Sequence, residues 1–244
     1  MRLSGKRIVI TGGSKGLGKA LAQRFAREGA KLALCARHSD PLEAVVKELQ
    51  EIDTEVVWRQ CDIGNPVQVQ EFVSAVIEEF ESIDVLVNNA SAIMPLKNIA
   101  EYSTQEWEEV VRTNINGLFN CTRGFIPFMM KKKAGAIINV SSSVGRVMRG
   151  QWGAYAISKY ALEGFTQLLA EELRHYNISV NSVNPGAMAT DMRRVVHPEE
   201  DQKLLRKPEL VTDLFVYLAS NDGEGISGQQ FDASTYVAYP KDKS

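Results

Sequence analysis

The sequence predicts an α/β fold: one doubly wound parallel sheet of about seven strands, with helices on both faces. Two observations point to it. Short apolar runs alternate with longer amphipathic segments along the whole chain, a rhythm that builds right-handed strand–helix–strand crossovers. The runs "DVLVN" (84–88) and "AIINV" (136–140) are nearly continuous in apolar residues, as parallel strands are when both faces are covered.

Taken in order, the strand candidates fall at about 7–11, 31–36, 55–60, 84–88, 135–141, 178–184 and 229–233. Between them lie segments with helical periodicity, near 16–28, 41–51, 66–80, 104–132, 154–175 and 208–220. No Gly/Ser/Pro linker, repeat or low-complexity block divides them, so residues 1–244 are expected to form a single domain. The stretch 186–207, "GAMATDMRRVVHPEEDQKLLRK", is charged and weakly periodic. A connection of that length is either a substrate-covering loop or a solvated helix-turn.

Composition narrows the function classes. The chain has 244 residues, 44% hydrophobic and 24% charged, enough to bury a large core without staples. A net charge of -2 calls for neither a nucleic-acid nor a membrane partner. Cys35, Cys61 and Cys121 are odd in number, widely spaced and set among apolar residues, the usage of reduced core thiols in an intracellular protein. No CxxC occurs and His38, His175 and His197 are isolated, so no metal site is expected. The opening "MRLSGK" lacks the apolar core of a signal peptide, and no apolar run approaches the ~20 residues of a membrane span. A cytoplasmic protein is expected.

The stretch "TGGSKGLGKALAQRFAREGA" (11–30) directly follows the first strand. A glycine-rich turn between strand and helix lets backbone N–H groups approach a pyrophosphate, with the helix N-terminus facing its charge. An ordinary tight turn would read the same way if the motif stood alone. It does not. Asn88-Asn89-Ala90 follows the fourth strand, Ser142 the fifth, and "YAISK" (155–159) comes thirteen residues later. Asn114 sits in "TNINGLF", and "NPGAMATDM" follows the sixth strand. In this order, from about Leu3 to Ser234, the sequence resembles the short-chain dehydrogenase/reductase family.

The resemblance implies a Rossmann fold and a nicotinamide cofactor. On the turn, Gly12, Ser14, Lys15, Gly16, Leu17 and Gly18 would bind it. Farther along, Arg37, Asp62, Ile63, Asn89 and Ala90 would do so, then Pro185, Gly186, Met188 and Thr190. The alternative reading of Asp62 is a cap for the helix beginning near Pro66. NAD-using relatives carry an acidic residue at the end of strand two. Here that position is Ala36, followed by Arg37, with Lys15 inside the glycine turn. Two cations and no carboxylate suit a 2′-phosphate, so NADP(H) is the expected cofactor.

Tyr155 and Lys159 are four residues apart and share one helix face. A tyrosine ionises near pH ~10, and a neighbouring ammonium is expected to lower that value toward the working range of an acid/base. By the resemblance, Tyr155 is the acid/base and Ser142 holds the substrate oxygen. Family spacing favours Ser142 over Ser141 and Ser143. Lys159 also binds the ribose, as does Tyr155, and Asn114 holds a water leading to solvent.

Three departures from the family pattern stand out. Ser91 replaces a usual glycine, Asp232-Ala233-Ser234 replaces a usual Asp-Gly-Gly, and the stretch after Thr190 is short. The expected activity is NADPH-dependent interconversion of a small-molecule ketone or aldehyde with its alcohol. The alternatives are a 3-oxoacyl-carrier-protein reductase, for which Lys131-Lys132-Lys133 could supply entrance charge, or a non-catalytic NADP-binding regulator. Apolar excess in 104–132 and 154–175 suggests a homodimer or homotetramer.

Overall fold

The computed structural model describes residues 1–236, so residues 237–244 of the expected domain lie outside the described residues. Seven parallel strands form one sheet: β1 (Arg7–Thr11), β2 (Lys31–Ala36), β3 (Val56–Gln60), β4 (Val85–Asn88), β5 (Gly135–Val140), β6 (Ile178–Asn184) and β7 (Gln230–Asp232), in spatial order β3-β2-β1-β4-β5-β6-β7. The expected strands are all present: β1, β2 and β6 match their expected ranges, β3, β4 and β5 are one residue shorter, and β7 loses one residue at each end.

Alternation along each strand divides the core between the two faces. Ile8 and Ile10 of β1 and Leu32 and Leu34 of β2 face α1 (Gly16–Arg27), α2 (Ser39–Gln50) and a later helix, α8 (Thr212–Ala219). Leu17, Leu21 and Phe25 supply the inner stripe of α1, and Leu42, Val45 and Leu49 that of α2. Val9 and Ala33 point the other way, toward α3 (Pro66–Phe80), α5 (Leu118–Lys132) and α6 (Gly153–Glu172). Phe72 of α3 meets Phe125 of α5 edge to face, with ring centroids 5.9 Å apart. Cys35, Cys61 and Cys121 are free thiols buried on this face.

Two segments differ from their expected form. The long segment 104–132 is three pieces: α4 (Thr104–Val111), a π turn (Arg112–Gly117) and α5. The charged segment 186–207 contains α7 (Asp191–Val196) and a 3-10 turn (Gln202–Leu204). It folds back on itself through a bridge between Met188 and Arg206.

Strand order reverses between β1 and β4. The two outgoing connections diverge there and leave a crevice at the carboxyl ends of the strands, where ligands of open α/β sheets bind. The opposite end is closed by charge. Asp84 accepts from the Arg7 backbone N–H at 2.8 Å and from Arg7 Nε at 3.1 Å, and also pairs with Lys132. Lys132 donates to the Ile83 carbonyl as well, at 2.9 Å. This ties the Lys131–Lys133 run to the N-terminal edge of β4, remote from the crevice, and removes it as a source of entrance charge.

Burial alone would raise the Asp84 carboxyl. The hydrogen bonds from Arg7 and Lys132 outweigh it and pull the group down to about 2. A depressed carboxylate stabilises the fold above its unfolded pKa and loses that contribution as pH falls through the folded value. Asp84→Asn is therefore expected to cost about 2 kcal/mol at neutral pH. The difference from wild type in urea melts should shrink as pH drops from about 4 toward 2; a difference independent of pH would contradict this account.

Candidate active site

The crevice is a cleft of about 500 Å³. Its first wall is the glycine turn between β1 and α1. Gly12 has φ +69°, and a Cβ there would lie 2.9 Å from the Ala90 Cα. At Gly18 a Cβ would lie 2.1 Å from the Gly12 carbonyl oxygen, so any side chain would force the turn open. The turn is clamped from β4: Asn89 Nδ2 donates to the Thr11 and Gly12 carbonyls at 2.9 and 3.1 Å. Thr11 Oγ1 accepts from the backbone N–H groups of Asn89 and Ala90, each at 3.1 Å.

Ser14, Lys15, Gly16 and Leu17 line the same wall, with Arg37, Asp62 and Ile63 beyond them. Both cations are engaged by carboxylates from other elements. Lys15 Nζ lies 3.7 Å from Asp191 at the start of α7, and Arg37 donates to Glu109 of α4 at 2.8 Å. Asp62 accepts from Arg112 at 2.6 Å and from the Gly64 backbone at 2.9 Å. The cap of α3 is Asn65, whose Oδ1 accepts from the Val67 and Gln68 backbones, so the capping alternative for Asp62 falls away.

The far end of the cleft holds the hydroxyl-rich group. Ser142 leaves β5, and its side chain lines the same end of the cleft as the Tyr155 phenol on α6. One turn on, Lys159 Nζ donates to the Val140 carbonyl at 2.8 Å and lies 5.5 Å from the centre of the Tyr155 ring. Gly145 makes room for this lysine: a Cβ there would come within 2.9 Å of the Lys159 Cβ. Pro185, Gly186, Met188 and Thr190 form the roof. Thr190 caps α7 by accepting from the Arg193 backbone at 3.3 Å.

Two of the expected residues are not on the cleft wall. Gly18 lies beneath it, against Gly12 and Asn89. Asn114 is buried in the π turn. Its Oδ1 accepts from the Ala92 N–H at 2.7 Å, and its Nδ2 donates to the Ala92 carbonyl and Ser158 Oγ, both at 2.9 Å. Both amide hydrogens are thereby committed, and the side chain staples the chain after β4 to α6.

The Tyr155 phenol is pushed up, to about 12, by burial, with the Ser142 hydroxyl opposing. This departs from the expectation that the nearby ammonium lowers it: loss of water on burial outweighs that charge. Burial likewise pushes Lys159 down to about 8, opposed by the charge of Glu163.

Residues not anticipated from sequence complete the cleft. Trp152 lies between Tyr155 and His197, with ring centroids 6.0 and 6.1 Å away and planes tilted by 41° and 60°. Ile93, Met192 and Val196 add apolar wall, and Arg149 an exposed cation. The hydroxyls of Ser91 and Thr113 are buried on the wall with no hydrogen-bond partner. Among the described residues no group of three His, Cys, Asp or Glu is placed to hold a metal ion, and no helix is long and apolar enough to cross a membrane.

A parallel sheet reversing at β1/β4, a glycine turn at the reversal and a serine–tyrosine–lysine cluster facing it define a class of nucleotide-binding α/β proteins. The sequence model of the short chain dehydrogenase family matches residues 6–201, and the chain belongs to that family. It is 34% identical to a 3-oxoacyl-[acyl-carrier-protein] reductase of Thermotoga maritima, over 94% of this chain and 96% of that one. It is 32% identical to the uncharacterised oxidoreductase YciK of Escherichia coli, over 95% and 92%. A short chain dehydrogenase of Shigella flexneri crystallised with NADP superposes with a TM-score of 0.90 at 32% identity, covering 96% of this chain and 99% of that one.

The burial of Tyr155 generates a spectroscopic expectation. Subtracting the alkaline absorbance titration of Tyr155→Phe from that of wild type should leave no phenolate signal below about pH 11. A signal emerging near pH ~8 would mean that the ammonium, not burial, governs the phenol.

Proposed function

We propose that the chain is an NADPH-dependent oxidoreductase interconverting a ketone or aldehyde with the corresponding alcohol, with Tyr155 as general acid/base. The observation that carries this reading is the meeting of Ser142, Tyr155 and Lys159 at one end of a cleft whose other end is a bare-backbone glycine turn.

The residues present fit a dinucleotide. The missing Cβ atoms at Gly12 and Gly18 leave backbone accessible to a pyrophosphate. Ser91 and Thr113, on the cleft wall, carry buried hydroxyls without a partner. Lys15 and Arg37 would hold a 2′-phosphate, with Ala36 in place of a repelling carboxylate. Their present partners, Asp191 and Glu109, are side chains that a phosphate would displace. Asp62 and Ile63 would flank the adenine, and Asn89, Ala90, Tyr155 and Lys159 the second ribose. Pro185, Gly186, Met188 and Thr190 would cover the nicotinamide. The similar Shigella protein binds NADP, which supports this choice.

When bound, the reduced cofactor supplies the hydride. Ser142 Oγ orients the substrate oxygen, and Tyr155 Oη transfers its proton to that oxygen as the carbon is reduced. The phenolate left on Tyr155 is stabilised by the Lys159 ammonium. Asn114, its side chain committed to Ala92 and Ser158, would serve a water only through its backbone carbonyl. Ile93, Trp152, Met192 and Val196 suit an apolar carbonyl compound. Similarity to 3-oxoacyl-[acyl-carrier-protein] reductases favours a second reading, a thioester-linked ketone, with Arg149 rather than Lys131–Lys133 as the cation near the entrance. Phe119, Ile157, Tyr160 and Leu168 are exposed on α5 and α6, which supports pairing of copies through these helices.

Three outcomes test the reading. Tyr155→Phe should lower kcat for ketone reduction by roughly a hundredfold or more while leaving NADPH affinity nearly intact; retained turnover would remove Tyr155 as the acid. Arg37→Asp should shift preference from NADPH toward NADH by about tenfold or more, ~1.4 kcal/mol; an unchanged ratio would remove Arg37 from the 2′-phosphate. Reduction needs the phenol protonated and Lys159 charged. With Lys159 lowered to about 8, reductive kcat should hold through neutrality and fall as pH rises past that value. A profile flat well above it would contradict the assignment.

A further inference from the structure

A buried ion network lies behind Ser142 and reaches the substrate segment. Glu163 follows Lys159 by one turn of α6 and is only 4% exposed. Its Oε1 accepts from Ser141 Oγ at 2.5 Å and from Arg146 Nε at 3.2 Å, and its Oε2 accepts from Ser182 Oγ at 2.6 Å. Ser141 directly precedes Ser142, and Ser182 lies on β6. Arg146 continues outward: Nη1 donates to Asp232 Oδ2 and Nη2 to the Phe231 carbonyl, both at 2.9 Å. Asp232 Oδ1 accepts from Asn184 Nδ2 at 2.5 Å, and Asn184 Oδ1 accepts from the Gly186 N–H at 3.1 Å. Tyr160 Oη donates to the Arg146 carbonyl at 2.7 Å.

The loop carrying Ser142 is thus fixed at both ends, through Ser141 and through Arg146. The same arginine holds β7, and through Asp232 and Asn184 it fixes Gly186, where the substrate segment begins. Arginine suits this place because its planar fork meets two carboxylates and a carbonyl at once, which a lysine point charge does not. A buried ion pair is weak evidence for stability, since apolar side chains of the same volume hold a fold as well. Charge-assisted hydrogen bonds do fix direction and distance, and both ends of this network border the cleft at Ser141 and Gly186.

We propose that Arg146, shared between the buried Glu163 and Asp232, is a positioning residue that holds the Ser142 loop and the Gly186 end of the substrate segment in one register. The inference rests on the carbonyl-reduction reading above. Ser234 lies over Gly186, 3.6 Å from where a Cβ there would be, and its backbone carbonyl accepts from Arg206 at 3.0 Å, a bond that the usual glycine would make equally. The substrate segment is therefore held from both Asp232 and Ser234.

The test compares Arg146→Met, Arg146→Lys and Asp232→Asn with wild type in the full chain. NADPH affinity is read by fluorescence, folding by thermal melting, and kcat and KM on a ketone that wild type reduces. Arg146→Met is expected to lose roughly tenfold or more in kcat, as misplacement of a reacting group does. KM and NADPH affinity should stay near wild type, and Arg146→Lys should recover part of the loss. Asp232→Asn keeps its shape at a position whose side chain is 42% exposed. It should reproduce the kcat loss in a folded protein, and it decides the matter if Arg146→Met fails to fold. Wild-type kcat in folded Asp232→Asn overturns the proposal. So does a fall in kcat that merely tracks lost NADPH affinity and melting temperature, the signature of a plain structural staple. A wild-type protein that binds NADPH and reduces no carbonyl compound overturns the carbonyl-reduction reading itself, whereas an active wild type with insensitive variants overturns only the inference.

Discussion

Much of this structure is organised by the need to keep one ammonium out of water. Lys159 is buried beside a phenol, and an isolated buried cation is too costly to persist unpaired. One of its N–H groups donates to the Val140 carbonyl at 2.8 Å, its charge faces the Tyr155 ring at 5.5 Å, and Glu163 opposes the loss of that charge. Each partner imposes a requirement. The last residue of β5, Val140, supplies the carbonyl. Gly145 must lack a side chain, because a Cβ would press on the lysine stem. Glu163 must in turn be satisfied, by Ser141, Ser182 and Arg146.

The other end of the cleft obeys a different constraint, close approach of backbone to a ligand. Gly12 and Gly18 leave no room for side chains, and Asn89 fixes the turn by holding the Thr11 and Gly12 carbonyls. The two ends meet at α7. Thr190 caps that helix and sits beside Gly16, where an added Cβ would lie 3.3 Å from its Cγ2, while Asp191 reaches Lys15.

Local patterns in the sequence carried the fold. Apolar runs and helical periodicity gave the seven strands and most helices, because burial on two faces writes itself directly into the chain. The glycine turn stood out by its place between strand and helix, and Tyr155 with Lys159 by their four-residue spacing; Asn89 and Ser142 were picked out only through the resemblance of the ordered motifs to a known family. What escaped was non-local or a matter of degree. Glu163, Arg146 and Asp232 meet across 17 and 86 residues of sequence, and no local pattern announces such a pairing. The π turn at Asn114 breaks the helix without breaking its apolar pattern. The Tyr155 phenol rises rather than falls because depth of burial, which spacing does not encode, outweighs a neighbouring charge. The Lys131–Lys133 run reads from sequence more readily as a favourable helix end than as entrance charge, and α5 does end there; only the direction of α5 reveals which edge of the sheet it reaches.

The central claim, that this cleft is built for NADPH, is tested most directly by titrating the wild-type protein with NADPH and with NADH and following nucleotide fluorescence. The arrangement of Lys15, Ala36 and Arg37 predicts saturable NADPH binding at least about tenfold tighter than NADH. Equal affinities, or tighter binding of NADH, would contradict it.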